Sequence, residues 1–318
     1  MAETQFLLLV GTYRSGTTSI FRYLSDHPQV SPSALKETGY FLPRGEPAPS
    51  RWGIGGHLAS ETLRMAEAPL DRYLALFGGR DDAAVRVEAT PTYLYYRDSA
   101  EAMRAALPDC RVLITLRDPF KWIVSVYKLF IALRVVDESF DGWIRRIVAE
   151  QRPIEDRPFE LRTLAHGRFA SHVEGYREVF GADRVMVAYF EDLVSDSREL
   201  LAAVARFAGI DDRFYGGYTF TNVNPVRKYR KDAYYERYAA MSTTVARGMH
   251  AGPPVVRNRI QRLEQWALRR YEAWATEPVE DPYVGAEVQR RLVEQLGGVA
   301  SELTALLGSA PPWQSPSR

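Results

Sequence analysis

Four short, nearly continuous apolar runs most restrict what this chain can fold into: Phe6-Leu7-Leu8-Leu9-Val10, Val85-Arg86-Val87, Arg111-Val112-Leu113-Ile114-Thr115-Leu116 and Arg184-Val185-Met186-Val187-Ala188-Tyr189. Each has the length of a strand, and each is followed by a helical pattern. A strand that is apolar on both faces must be covered on both, so the pattern implies a parallel sheet with helices on either side, joined by right-handed crossovers. Helices are expected at roughly 16–26, 98–107, 119–133, 168–180 and 196–208. From about residue 232 no strand pattern appears. Helical stretches near 232–248, 256–274 and 285–307, the last broken at Gly297-Gly298, read as a helical cap. One α/β domain over 1–318 is expected, with its core over about 1–230 and the cap over about 231–318. Residues 42–56, rich in proline and glycine, read as a loop.

Composition narrows the function classes. With 46% hydrophobic and 25% charged residues, the chain is neither disordered nor fibrous. Forty-one Lys and Arg against forty Asp and Glu leave +1, so the chain is no polycation for coating nucleic acid, and any anion site must be local. A single cysteine, Cys110, excludes an internal disulfide and a multi-cysteine metal site, and it fits a reducing compartment. Met1-Ala2-Glu3-Thr4 lacks a basic leader, and the apolar run at 6–10 is too short for a signal peptide or a spanning helix. A soluble, cytoplasmic protein without a membrane partner is expected.

The strongest local motif is Gly11-Thr12-Tyr13-Arg14-Ser15-Gly16-Thr17-Thr18, placed directly after the first strand and opening a helix. Two glycines five apart let the backbone curl until successive N–H groups and the helix N-terminus face one anion, with hydroxyls adding donors. A tight turn alone also accounts for the glycines, but the strand and helix on either side favour a phosphate loop. The fold class becomes a P-loop-type parallel sheet flanked by helices, with a C-terminal helical cap. In the nucleoside-triphosphate version of this loop a lysine reaches the β- and γ-phosphates, and here Thr17 holds that place.

Gly11 to Thr18, followed by Leu24, His27 and Pro28, resembles the 5'-phosphosulfate loop of sulfotransferases that use 3'-phosphoadenosine 5'-phosphosulfate. The resemblance implies that Arg14, Ser15, Gly16, Thr17, Thr18 and Ser19 bind the phosphosulfate. Leu116-Arg117-Asp118-Pro119 ends a strand and Ser125 lies two helical turns on, so a guanidinium and a hydroxyl can converge on one phosphate. In the family this pair holds the 3'-phosphate. An arginine paired with Asp118 and an ordinary helical serine are the structural alternative. Val87-Glu88-Ala89-Thr90-Pro91-Thr92-Tyr93 is similar to the E-K-[TS]-P-x-Y segment of heparan-type members, with Ala89 at their lysine. Gly167-Arg168-Phe169 through His172 to Tyr176 and Phe190-Glu191-Asp192-Leu193 resemble two further family segments, and all three segments support the fold more than the chemistry.

Sulfuryl transfer calls for positive charge near the transferred group and a base for the acceptor, and it demands no metal. Lys36-Glu37-Thr38-Gly39-Tyr40-Phe41 follows an expected second strand and resembles the E-x-x-[FY]-F segment of glycosaminoglycan sulfotransferases, whose glutamate is the base. That resemblance assigns the base to Glu37. An ion pair with Lys36, or helix capping, is the structural alternative, and His172 is the rival base. His27 reads as structural. Arg14 replaces a lysine and holds its proton too tightly to act as an acid, so it can only stabilise leaving-group charge. Lys36 is then the nearest point charge for the sulfate.

Residues 227–272 carry eleven basic residues against four acids, an excess of +7. In the family a basic loop here closes over the 3'-phosphate and adenine, which points to Lys228, Tyr229 and Arg230. The remaining arginines fit a solvated helix face. The leading expectation is a sulfotransferase acting on a hydroxyl of a saccharide or small metabolite, with adenosine 3',5'-bisphosphate as product and no nucleic acid as partner. Its competitors are a P-loop small-molecule kinase, which Thr17 opposes, and a nucleic-acid binder using Tyr229, Tyr234, Tyr235 and Tyr238 as stacking surfaces.

Overall fold

A computed structural model describes residues 5–44, 46, 69–77, 80, 82–221, 227–231, 233–234, 236–237, 270–271 and 274–313. Five parallel strands form the central sheet: β1 (Gln5–Gly11), β2 (Val30–Pro32), β3 (Val85–Ala89), β4 (Arg111–Leu116) and β5 (Val185–Tyr189). Their order is β2-β3-β1-β4-β5, so β1 is central, with Leu8 opposite both Glu88 and Val112. Alternation along β1 divides the core. Phe6, Leu8 and Val10 enter one hydrophobic cluster, while Leu7 and Leu9 enter the other.

The first cluster is closed by the helices Arg97–Ala106, Pro119–Ala132 and Phe169–Phe180, and the second by Thr17–Ser25 and Ser197–Ala208. These are the five expected helices, each within two residues of its expected bounds. Local chemistry sets their ends. Asp118 caps Pro119–Ala132 by accepting from the Phe120 and Lys121 N–H groups, and proline occupies the first turn, where it is tolerated. Asp196 caps Ser197–Ala208 through the Glu199 N–H, and Gly209 ends that helix in the left-handed conformation.

Two features depart from expectation. The helix Phe140–Ala149, capped by Ser139, was not among the expected helices. The absence of strand beyond residue 232 is corrected by β7 (Thr276–Pro278), which pairs antiparallel with β6 (Arg227–Tyr229). Three residues ending in proline are too short to display an alternating pattern. The expected helices over 232–248 and 256–274 lie almost wholly outside the described residues, as does most of the 42–56 loop. The third cap stretch forms Ala286–Leu296 and Val299–Leu307, parted at Gly297-Gly298. Among the described residues no helix is long and apolar enough to cross a membrane.

Candidate active site

The loop after β1 is held between its neighbouring strands. The Thr12 N–H donates to the Thr115 carbonyl at 2.6 Å, and the Thr115 hydroxyl donates to the Gly11 carbonyl at 2.9 Å. A Cβ on Gly11 would lie 2.5 Å from the Leu94 Cβ, so glycine alone permits that approach. Gly16, with φ 85°, stands at the start of Thr17–Ser25, and a Cβ there would meet Leu193 at 2.6 Å. Arg14 is also left-handed, with φ 67°. Left-handed residues on either side of Ser15 give the curled backbone in which successive N–H groups can turn toward one anion. No side chain caps the helix, so its first N–H groups are left without an intrahelical acceptor. The Ser15 Oγ is buried without a partner, Thr17 and Ser19 are buried, and Thr18 is exposed.

Two guanidinium groups border the loop. Arg14 Nε donates to the Ser125 Oγ at 3.1 Å, and Arg117 donates to the Arg14 carbonyl at 3.3 Å. Arg117 also lies 4.4 Å from the centre of the Phe190 ring, and its Nε is buried without a partner. Burial, followed by the charge of Arg117, pushes the Arg14 guanidinium down to about 10. Burial also lowers Arg117, while Glu191, Asp118 and Asp281 oppose the shift. Two of the carboxylates that act on Arg117 are engaged elsewhere: Asp118 caps its helix, and Glu191 accepts from the Asp118 N–H at 3.1 Å and the Trp313 Nε1–H at 3.0 Å. Among the described residues no ion pair joins Arg14 or Arg117 to a carboxylate.

Arg117 and Ser125 therefore converge, but through Arg14 and not on each other. The two sequence blocks meet in one constellation. The alternative pairing of Arg117 with Asp118 does not form as an ion pair. β6 packs against the helix that carries Ser125, and a Lys128–Asp281 ion pair at 2.7 Å fastens the same helix to the chain beyond β7. On β6, Lys228 approaches Glu277 at 3.5 Å and Tyr229 is buried, while just beyond it the Arg230 N–H donates to the Ala275 carbonyl at 2.9 Å. These three residues are thus set beside the Ser125 helix, though no hydrogen bond among the described residues links them to the loop.

Across β1, the segment after β2 carries Lys36 and Glu37. The Glu37 N–H donates to the Ala89 carbonyl at 2.9 Å, at the carboxyl end of β3, and its φ is 65°. Lys36 Nζ meets Glu37 Oε1 at 2.5 Å, with the two side chains 21% and 30% exposed. The ion pair of the structural alternative is present, and it remains open to solvent. Beneath it Glu88 is fully buried, accepts from the Thr38 and Thr90 hydroxyls, and is pushed up to about 7 by burial. Sequence reasoning treated its segment as support for the fold. The available signal was a carboxylate, besides Arg86, in a strand whose remaining residues are Val85, Val87 and Ala89.

His172 lies apart from this pair. Its Nε2 is 3.3 Å from the Ala165 carbonyl, its ring edge meets Tyr95, and burial lowers its affinity for a proton. It adjoins a buried group behind the loop, in which Tyr95 stacks on His166 and bonds Thr12, and the Tyr13 hydroxyl lies 3.4 Å from His166 Nδ1. His27 is structural: its Nδ1 accepts the Gln29 N–H, so Nε2 carries the proton and donates to the Asp211 carbonyl at 2.9 Å. Among the described residues no cluster of three or more His, Cys, Asp or Glu could hold a metal.

A central parallel sheet flanked by helices, whose middle strand feeds a helix without a side-chain cap, defines an α/β protein of the P-loop type. Residues 7–213 match the model of the Sulfotransferase family, and the chain belongs to that family. It is 23% identical over 213 residues to human heparan sulfate glucosamine 3-O-sulfotransferase 6, covering 65% of this chain and 54% of the relative. It is 20% identical over 221 residues to the bifunctional heparan sulfate N-deacetylase/N-sulfotransferase 1 of Caenorhabditis briggsae, covering 65% of this chain and 23% of that protein. The chain therefore spans about half or less of the length of these curated relatives. In three dimensions it resembles a sulfotransferase from Alicyclobacillus acidocaldarius, with a TM-score of 0.64, 20% identity and 96% coverage of both chains, which shows a shared fold.

Proposed function

We propose that the protein transfers a sulfuryl group from 3'-phosphoadenosine 5'-phosphosulfate to a hydroxyl of a saccharide or small metabolite. One observation carries this reading: Arg14 and Arg117 converge beside an uncapped helix N-terminus and the unpartnered Ser15 hydroxyl, and among the described residues no carboxylate is ion-paired to either. Two half-buried cations close enough to act on each other repel, and an anion between them relieves that repulsion. The donor supplies the activated sulfuryl group together with two phosphate-bearing positions, matching two clusters of donors.

The N–H and hydroxyl groups of Ser15 to Ser19 would hold the 5'-phosphosulfate. Arg117 and Ser125 would hold the 3'-phosphate, with Lys228, Tyr229 and Arg230 closing over the rest. Arg14 remains charged and stabilises the leaving group without donating a proton. Glu37 takes the acceptor proton at its carboxylate, and Lys36 both orients it and faces the sulfate. His172 retains the rival role of base. The reading calls for no metal and includes a cytoplasmic setting, with which the lone, buried Cys110 is compatible. The heparan sulfate and glucosamine in the relatives' names favour a saccharide acceptor.

Thermal melting with adenosine 3',5'-bisphosphate and with ATP plus magnesium tests the donor. At a hundredfold excess over Kd a bound ligand stabilises the native state by about 2.7 kcal/mol. The bisphosphate should raise the melting temperature more than ATP. Equal or reversed shifts would favour the kinase alternative.

A further inference from the structure

We infer that Glu88 is a positioning residue, whose single accepting oxygen sets the direction of a hydrogen-bond relay that anchors the segment bearing Lys36 and Glu37. The Thr38 hydroxyl donates to Glu88 Oε1 at 3.2 Å, and the Thr90 hydroxyl donates to the same oxygen. A hydroxyl has one hydrogen, so each is left only to accept. Thr90 Oγ1 accepts the Gly39 N–H at 3.2 Å, and Thr38 Oγ1 accepts the Tyr40 N–H at 3.2 Å. The Tyr93 hydroxyl, 3.1 Å from Thr38 Oγ1, must then be the donor between them, which frees its lone pairs for the Phe41 N–H at 3.2 Å. Three consecutive amides are thus captured by three hydroxyls, and Glu88 Oε1 fixes the polarity of all of them.

The captured segment needs such an anchor. Glu37 and Gly39 both have positive φ, at 65° and 64°, and for a residue with a side chain that conformation costs about 1–2 kcal/mol. The Glu37 N–H is fixed to the Ala89 carbonyl one residue beyond Glu88, so the relay and the backbone bond act on the same short stretch. The Lys36–Glu37 pair lies at the end of this stretch. Tyr73, Tyr93 and Tyr176 from three other elements, together with Lys36, face the carboxyl group, and Glu88 Oε2 has no partner.

The catalytic consequence rests on the proposed role of Glu37, but the anchoring is measured without any donor. Amide hydrogen exchange by NMR on the folded, ligand-free protein compares wild type with Glu88→Gln, whose amide oxygen still accepts, and Glu88→Met, which cannot. In Glu88→Met, exchange at Gly39, Tyr40 and Phe41 should quicken by about tenfold to a hundredfold, the order set by leaving buried polar groups unsatisfied, while Leu8 in β1 keeps its protection. In Glu88→Gln the three amides should stay within about threefold of wild type. Turnover should fall about tenfold or more in the methionine variant and recover in the glutamine one, with adenosine 3',5'-bisphosphate affinity unchanged in both. Unchanged exchange in Glu88→Met, or equal damage by glutamine, overturns the inference. If the methionine variant does not fold, Thr38→Val should expose the Tyr40 amide and Thr90→Val the Gly39 amide, and protection retained in both overturns it equally. A wild type that transfers no sulfuryl group refutes the functional reading and leaves the exchange result to decide the anchoring.

Discussion

On the β4 side of the central strand, Arg14 and Arg117 touch, Ser15 Oγ and Arg117 Nε are buried without partners, and nearby carboxylates are engaged with backbone or indole N–H groups. On the β3 side, Lys36 meets Glu37, and Glu88 is served by two threonines. The first flank gathers like charge with no ion-pair partner among the described residues, whereas the second pairs Lys36 with Glu37 and engages Glu88 through Oε1, leaving only Oε2 without a partner. Incompleteness of like sign is what an anionic ligand corrects, whereas internal satisfaction holds groups in place before any ligand arrives. Substitutions on the first flank should therefore act on binding, and those on the second on rate and stability.

The largest expected effect lies on the second flank. Glu37→Gln keeps the size of the side chain and removes the base, so kcat should fall by about a hundredfold to ten-thousandfold. Adenosine 3',5'-bisphosphate affinity should survive, because the loop and the two arginines do not use this carboxylate. Parallel calorimetry and initial rates decide it. A stable variant with near wild-type kcat moves the base to His172 and removes the functional half of the contrast.

The next effect concerns stability and pH. Burial raises Glu88 from its ordinary 4.5 to about 7, so the native state holds a proton that the unfolded chain has released. The contribution from that proton is fully present below about pH 4.5 and is lost as pH rises through about 7, with a ceiling of about 3 kcal/mol. Urea unfolding from pH 5 to 8 should show wild-type stability declining across this window, and Glu88→Gln should lack that part of the slope. Identical slopes would show that Glu88 ionises normally and is solvated.

These two groups also show how far the sequence reaches. The loop from Gly11 to Thr18 and the five apolar residues of β1 were legible because their meaning is local: a strand, a turn, a helix start. Arg117 and Ser125 were legible as residues, but their meeting through Arg14 depends on strand order, which no local pattern contains. Glu88 was hidden for the same reason, since the groups around it, Thr38, Tyr73, Tyr93 and Tyr176, come from elsewhere in the chain. The helix Phe140–Ala149 was available, with Phe140, Trp143, Ile144 and Ile147 at helical spacing behind the Ser139 cap. By contrast β7 gains its identity from pairing with β6, and three residues hold no period.

A smaller effect is expected on the first flank. Arg117→Ala removes a charge-assisted bond to the 3'-phosphate, a class worth about 1.5–3 kcal/mol, so the Kd for adenosine 3',5'-bisphosphate should rise about tenfold to a hundredfold. The free protein should change little, by less than about 1 kcal/mol. Removing the guanidinium from the Phe190 ring and the Arg14 carbonyl is destabilising, and relief from the Arg14 charge offsets it. Calorimetry and urea unfolding on one preparation separate binding from folding. Destabilisation with unchanged affinity would reverse the contrast between the flanks.

The smallest effect on stability should come from Lys36→Ala. The Lys36–Glu37 pair is short, at 2.5 Å, but both side chains are partly exposed, and pairs of that kind contribute about 0.2–1 kcal/mol. In a chain of this length the melting temperature should therefore drop by no more than about 2–4 °C. Turnover separates two roles that the geometry alone joins. If Lys36 supplies point charge to the sulfate in place of the lysine that Ala89 lacks, kcat should fall about tenfold or more while donor affinity and folding hold. If the pair only fixes the Glu37 carboxylate, the relay from Glu88 still holds the backbone beneath it, and kcat should fall by less than about threefold. A Lys36→Arg variant sharpens the distinction, since it keeps the charge but disperses it over a planar group. Recovery of rate in arginine but not in alanine assigns Lys36 to the transferred group, and full activity in alanine leaves Arg14 as the cation that serves it.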